Sequence, residues 1–210
     1  MVRTVWIALG AASVLFHLWL IFSGLVPNLI ARPLHMALAL PWIFLFAAKT
    51  DWERWSGAIF TLVGLACCFY IVANEGEFSE QYWSLEGPLQ QLMAGASLST
   101  VLEMARRAIG WPLPVIAALA LLYGFFGAHL PGEFGHPGLP VDSFLGTMVV
   151  AEGGLWGSLT GVSVNIVAVF VIMGAVLNAG EAGQGFMNLA AAAAGRLKGG
   201  AAIVSVVSAA

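Results

Sequence analysis

Glu103 stands three and four residues before Arg106 and Arg107, a spacing that lets one carboxylate meet two guanidinium groups on a single helix face. Such a trio can hold an anionic substrate. It can also anchor a helix end at the cytoplasmic membrane surface, where basic residues collect, with the carboxylate neutralised in place. We read Glu103, Arg106 and Arg107 as structural or topology-setting residues. His129, Glu133 and His136 are metal-ligating types close together in sequence, and a zinc site needs three or four such groups converging on a point. Pro131, Gly132, Gly135 and Pro137 interrupt any helix there, so the spacing defines no common face. His136 is therefore grouped with the structural residues as part of a rigid turn. No metal ligand, catalytic group or cofactor-binding residue is assigned.

His17 and Asn165 lie inside apolar runs. Polar side chains there hydrogen-bond to a neighbouring helix or face an internal cavity, and the first is expected of both. Cys67 and Cys68 are adjacent within another apolar run, so they point to different sides of a helix and are expected to pack rather than pair. The chain has no Gly-rich phosphate loop with Lys and Ser or Thr, no His-Glu-x-x-His and no Cys-x-x-Cys. Gly161-Val162-Ser163-Val164 lacks the second glycine of a Gly-x-Ser-x-Gly elbow. ATP-driven chemistry and serine hydrolysis are therefore not expected, and the chain does not read as an enzyme.

The elements that must position these residues are membrane helices. Hydrophobic residues make up 60% of the 210 residues and charged residues 9%, with a mean hydropathy of +0.91, whereas a soluble surface needs roughly a quarter charged residues. The eight Lys and Arg are scattered and form no patch that could track nucleic acid phosphates. Crossing the hydrocarbon layer takes about 20 helical residues. That criterion selects Val5 to Val26, Leu29 to Ala48, Trp55 to Ala73, Pro112 to Leu130 and Ser158 to Leu177. The run at Val5 is too long for a signal-peptide core and has no evident cleavage site, so it is read as a retained span.

Leu89 to Ala105 carries Gln90, Gln91, Ser97, Ser99, Thr100 and Glu103, and hydropathy leaves open whether it crosses or lies flat. Charge resolves it. If it crosses with the N-terminus inside, Arg3, Lys49, Arg54, Arg106, Arg107, Arg196 and Lys198 face the cytoplasm against Arg32 alone outside, seven to one. If it lies flat on the outer surface, three face inward and five outward. The crossing arrangement also places Glu75, Glu77, Glu80 and Glu86, and the turn from His129 to Gly138, outside, in loops without Lys or Arg. Trp52, Trp55, Tyr82 and Trp83 then sit at headgroup level. The expected fold is all-α and polytopic: six transmembrane helices and, after Lys198, the start of a seventh. Short interfacial helices are expected at Asp142 to Val150, capped by Asp142, and at Glu181 to Leu197. An apolar run of about half a span ending at Ala210 suggests a chain cut short at its C-terminus.

Three stretches resemble a known family. They are Leu102-Glu103-Met104-Ala105-Arg106-Arg107-Ala108-Ile109-Gly110-Trp111-Pro112-Leu113-Pro114; Tyr123-Gly124-Phe125-Phe126-Gly127 through Pro131-Gly132 to His136-Pro137-Gly138; and Phe170-Val171-Ile172-Met173-Gly174-Ala175-Val176-Leu177 running on to Gly195-Arg196-Leu197-Lys198-Gly199-Gly200. In this order and spacing they resemble the fused membrane permeases of tripartite ATP-independent periplasmic (TRAP) transporters, TAXI type. The resemblance implies a small four-helix membrane domain at 1–107, and at 108–210 the N-terminal part of the large transport subunit. It implies a bacterial or archaeal cytoplasmic membrane location, a periplasmic substrate-binding protein as partner, and an organic acid or amino acid as substrate. Sodium would be the coupling ion, with an elevator-like movement and no other cofactor. It further implies a Ser/Gly-rich hairpin, beyond Ala210, that helps form the ion and substrate sites. Two other readings remain at this point: a non-transporting membrane scaffold or assembly subunit, and a membrane-embedded enzyme using Glu103, His129 or His136.

Overall fold

A computed structural model describes residues 2–194 of the chain. Arg196, Lys198 and the apolar run that follows, expected to begin a further span, lie outside the described residues. Every regular element among the described residues is a helix. In chain order they are α1 (Val2–Ser23), α2 (Asn28–Pro41), α3 (Asp51–Ala73), α4 (Glu75–Glu80), α5 (Gly87–Ile109), α6 (Pro112–Phe126), α7 (Val141–Val149), α8 (Ser158–Val162), α9 (Ala168–Ala179) and α10 (Ala182–Ala194). The chain divides into two compact units, Met1–Asn165 and Ile166–Ala210.

Five continuous helical stretches are long and apolar enough to cross a membrane: Arg3–Ser23, Asn28–Phe46, Asp51–Ala73, Pro112–His129 and Ser158–Ala179. These are the five spans expected from hydropathy, with ends moved by up to four residues. The chain is a multi-pass membrane protein. In two of the stretches the ladder shifts to π spacing. After α2, Pro41 has no N–H to donate, and Trp42–Phe46 continue as a π turn in which the Ala47 N–H reaches the Trp42 carbonyl at 3.0 Å. Ser163–Val167 form the second π turn, between α8 and α9.

The centre of the first unit is built by α2, α3, α5 and α7. Leu40, Phe44, Cys68, Ile71, Ala94, Leu145, Val149 and Trp156 are all buried in one cluster there. Small residues make the approach of α3 possible. A Cβ on Gly57 would lie 2.1 Å from the Phe44 carbonyl oxygen, so backbone meets backbone there, and one on Gly64 would lie 2.7 Å from a Leu40 methyl and 3.0 Å from the Thr100 methyl, so side chains of α2 and α5 pack onto the α3 backbone. Thr50 and Glu53 form a capping box at the start of α3, with Glu53 Oε2 accepting from the Thr50 and Lys49 N–H groups. Cys67 and Cys68 are free and buried, and the Cys67 thiol faces Met93 of α5.

The helix α5 runs antiparallel beside α3 over its whole length. Met93 meets Cys67, Thr100 meets Gly64, and Arg107 meets Ser56. Its polarity is absorbed inside the protein, because Gln90, Ser97 and Thr100 are buried and the Ser97, Ser99 and Thr100 hydroxyls donate to carbonyls one turn back. At 23 residues it is about 34 Å long. By contrast α1 and α6 leave most of their apolar side chains uncovered, as expected of helices facing lipid.

Two readings of the short segments need correction. Asp142 does not cap α7: Pro140 occupies that place, and the Asp142 carboxylate accepts from Ser84 Oγ. The apolar side of α7, with Phe144, Leu145 and Val149, is buried against α5 and the core rather than turned to lipid. Gly146 allows this, since a Cβ there would meet the Trp83 backbone. The second segment, Glu181 to Leu197, is helical over α10, and its last three residues lie outside the described residues.

Candidate functional site: a buried arginine node and a histidine chain

The C-terminal end of α5 carries Arg106 and Arg107 in its last turn, where cations complement the helix dipole. Gly110, at φ 89°, ends the helix and Pro112 opens α6. Glu103 accepts two bonds from Arg106, at 2.6 and 2.7 Å, and one from Arg107 Nε at 2.7 Å. The spacing read from the sequence therefore does bring the three charges together. What the spacing could not show is where Arg107 goes next. Its side chain is 7% exposed. It donates to the Phe44 carbonyl at 3.2 Å, the Glu53 carbonyl at 3.0 Å and Ser56 Oγ at 2.8 Å, and lies over the Phe44 ring. One guanidinium thus ties α5 to the π turn after α2 and to the first turn of α3. Arg106, more exposed, lies over the Trp111 ring at 5.1 Å. A cavity of about 530 Å³ opens beside the node, lined in part by Trp42, Lys49, Glu53, Arg106 and Arg107. Of its charged lining, Arg106 and Arg107 are paired with Glu103, and the Glu53 carboxylate is taken up by the capping box of α3.

His136 lies apart from this node, in the turn after α6. Its Nδ1 accepts from the Gly138 N–H at 3.1 Å, so Nε2 carries the proton and donates to the Tyr123 carbonyl at 3.1 Å. The ring packs edge-on against Tyr123, whose hydroxyl donates to the Phe134 carbonyl, and Gly127 leaves room for it. The polar atoms of His136 are spent on closing the turn. Among the described residues His129, Glu133 and His136 do not converge as a metal-ligand group.

His17 bonds to a neighbouring helix, as expected: its Nε2 lies 2.9 Å from Nδ1 of His35 on α2. His35 went unnoticed in the sequence because Met36 to Leu40 read as continuous apolar helix around it, although Arg32 and His35 at positions i and i+3 mark a polar stripe on one face. Arg32 on that stripe donates to the Trp156 carbonyl, and His35 Nε2 lies 3.2 Å from Ser163 Oγ at the start of the second π turn. Asn165 departs from expectation. It is exposed and forms no helix-to-helix bond among the described residues, since two residues on from Ser163 a helical side chain points to roughly the opposite side.

Against this all-helical, lipid-facing architecture stands one match. The family model described as "Tripartite ATP-independent periplasmic transporter, DctM component" matches residues 97–210, more than half of the chain. The chain belongs to the DctM family. It is therefore a TRAP transporter membrane component, and the family it joins is one of transporter components rather than enzymes. No curated protein and no solved structure matches it. The matched DctM region begins inside α5, so Glu103, Arg106, Arg107 and His136 fall within it, while α1 to α4 precede it.

Proposed function

We propose that the chain works as a fused TRAP permease of the TAXI type, in which a small four-helix domain at 1–107 is joined to the opening helices of the large transport subunit at 108–210. The observation that carries this reading is the junction. The DctM match starts at residue 97, yet α2 and α3, which precede it, pack with α5 and α7 in one core. A separate membrane helix layer has become continuous with the matched region. In this reading the protein sits in the bacterial or archaeal cytoplasmic membrane with six crossings and the N-terminus inside. It receives an organic acid or amino acid from a periplasmic binding protein and imports it with sodium. Glu103, Arg106 and Arg107 hold the cytoplasmic end of α5, and His136 holds an outer turn.

Transport is tested by reconstituting the gene product in liposomes with its binding protein. Uptake of a labelled organic acid or amino acid should require both the binding protein and an inward sodium gradient. Uptake that persists without either, or that needs ATP, would refute the reading. Orientation is tested separately by cysteine labelling in whole cells with a membrane-impermeant reagent. Ser79→Cys and Glu133→Cys, at exposed positions, should be labelled within minutes, and Ala108→Cys, exposed at the other end of α5, only after the membrane is opened. The opposite pattern would invert the topology.

A further inference from the structure

The contacts of His17 and His35 can be oriented atom by atom. His17 Nδ1 lies 2.7 Å from the Ser13 carbonyl, which can only accept, so Nδ1 carries a proton. In the neutral ring Nε2 must then accept, and the group facing it is His35 Nδ1 at 2.9 Å. His35 Nδ1 therefore donates, and His35 Nε2 accepts from the Ser163 hydroxyl at 3.2 Å. Ser163, His35, His17 and Ser13 form one directed chain of hydrogen bonds from the second π turn through α2 to α1.

An added proton fits this chain without a conflict. Bound at His35 Nε2, it turns that nitrogen into a donor toward Ser163 Oγ, whose hydroxyl rotates away, while Nδ1–H still donates to His17. Passage of the Nδ1 proton across the 2.9 Å bridge leaves His17 charged and His35 neutral, with the bridge hydrogen bond retained and reversed. Both nitrogens of each ring remain engaged in either form. A second proton does not fit, because it would set N–H against N–H across the bridge and place two imidazolium charges in ring contact.

We propose that His17 and His35 form a proton-binding site of capacity one, shared between α1 and α2, and that occupancy reverses the hydrogen bond to Ser163. Burial and the absence of a facing carboxylate weigh against a second charge. His17 is 6% exposed. On α2 the other charged side chain near it is Arg32, which is held by the Trp156 carbonyl and shares a small cavity with Glu75 and Glu152. On α3, packed against α2, the charges Asp51, Glu53 and Arg54 sit at the far end. On α1 Arg3 lies four turns away, and the 158–165 segment carries no charge. Ser163 stands at a π turn, a ladder defect common at working positions in membrane helices.

The test is nitrogen-15 resonance spectroscopy of the full chain with labelled histidine, in lipid nanodiscs, titrated from about pH 8 to about pH 3, a range that extends below ordinary histidine protonation because burial disfavours the charged ring. The His17 and His35 signals should move together and the pair should gain one proton, with His35 Nε2 changing from acceptor to donor. In Ser163→Ala the joint titration should persist while the Nε2 signal loses its hydrogen-bond shift. In His17→Gln the His35 titration should move to a new midpoint. Two imidazolium rings present at once, no proton uptake by either ring, or uptake by one ring with the other unmoved would each overturn the proposal. The wild-type titration decides the matter even if a variant fails to fold.

Discussion

Arg107→Met should destabilise the protein by about 3 kcal/mol or more, which exceeds the effect expected of any other single charged residue in the described chain. Methionine keeps the apolar stem of the side chain, so the loss is chiefly that of the guanidinium. The buried Phe44 would lose a donor to its carbonyl, and the partly buried Glu53 carbonyl and Ser56 hydroxyl would each lose one as well. Each unsatisfied buried group costs about 1–3 kcal/mol. Glu103 would keep its two bonds to Arg106, so it does not become an unpaired charge, and the estimate stays at the lower end of what breaking a buried pair costs. Arg107→Lys should recover little, since one ammonium cannot reach three acceptors on two elements at once. Arg106→Met should cost far less, about 1 kcal/mol at most, because that side chain is partly exposed and its pairing is screened. The measurement is unfolding of purified protein in mixed micelles by increasing sodium dodecyl sulfate fraction. Equal effects of Arg106→Met and Arg107→Met would show that the carbonyl contacts carry nothing.

Gly57→Ala should destabilise by about 1–3 kcal/mol, the range for overpacking a tight contact, while Gly95→Ala should stabilise by up to about 1 kcal/mol through helix propensity. The two glycines are chemically identical and both lie inside long helices, so only their surroundings separate them. A methyl at 57 would stand 2.1 Å from a backbone carbonyl and 2.9 Å from the Arg107 guanidinium, whereas nothing lies within 4 Å of one at 95. Carbonyl oxygens of a packed helix cannot step aside as a flexible side chain can. Alanine at 57 would push α3 from the π turn after α2 and loosen Arg107 at the same time. Combined with Arg107→Met, it should therefore cost less than the sum of the two single changes. The same unfolding measurement serves, and the two glycine variants falling on the same side of wild type would remove this explanation.

Much of this protein is legible in one dimension because lipid imposes a one-dimensional rule. A helix that crosses hydrocarbon must satisfy its backbone internally and be apolar over its whole length, so five spans could be read directly. The Glu103, Arg106 and Arg107 contacts were legible as well, since they depend on helical spacing alone. The course of α5 needed more, as its own polarity conflicts with a lipid-facing helix. Positive-charge counting favoured a crossing, and the antiparallel packing against α3 accounts for the polarity, since Gln90, Ser97 and Thr100 are buried in protein. Short elements were misread where the partner lies far away in sequence. The face of α7 is apolar whether it meets lipid or α5, and only the packed Trp83 backbone against Gly146 distinguishes the two.

Sequence by itself determined that the chain is a polytopic helical membrane protein with a charge trio brought together at the end of α5. Those features follow from composition and from spacing within single helices. Tertiary structure alone decided that Arg107 joins three elements, that His35 links His17 to Ser163, and that Asn165 is exposed. Each of these depends on the rotation of one helix about its axis relative to another, and two π turns, one of them next to Pro41, set part of that rotation. Hydropathy carries no information about it, because a lipid-facing residue and a core residue are equally apolar.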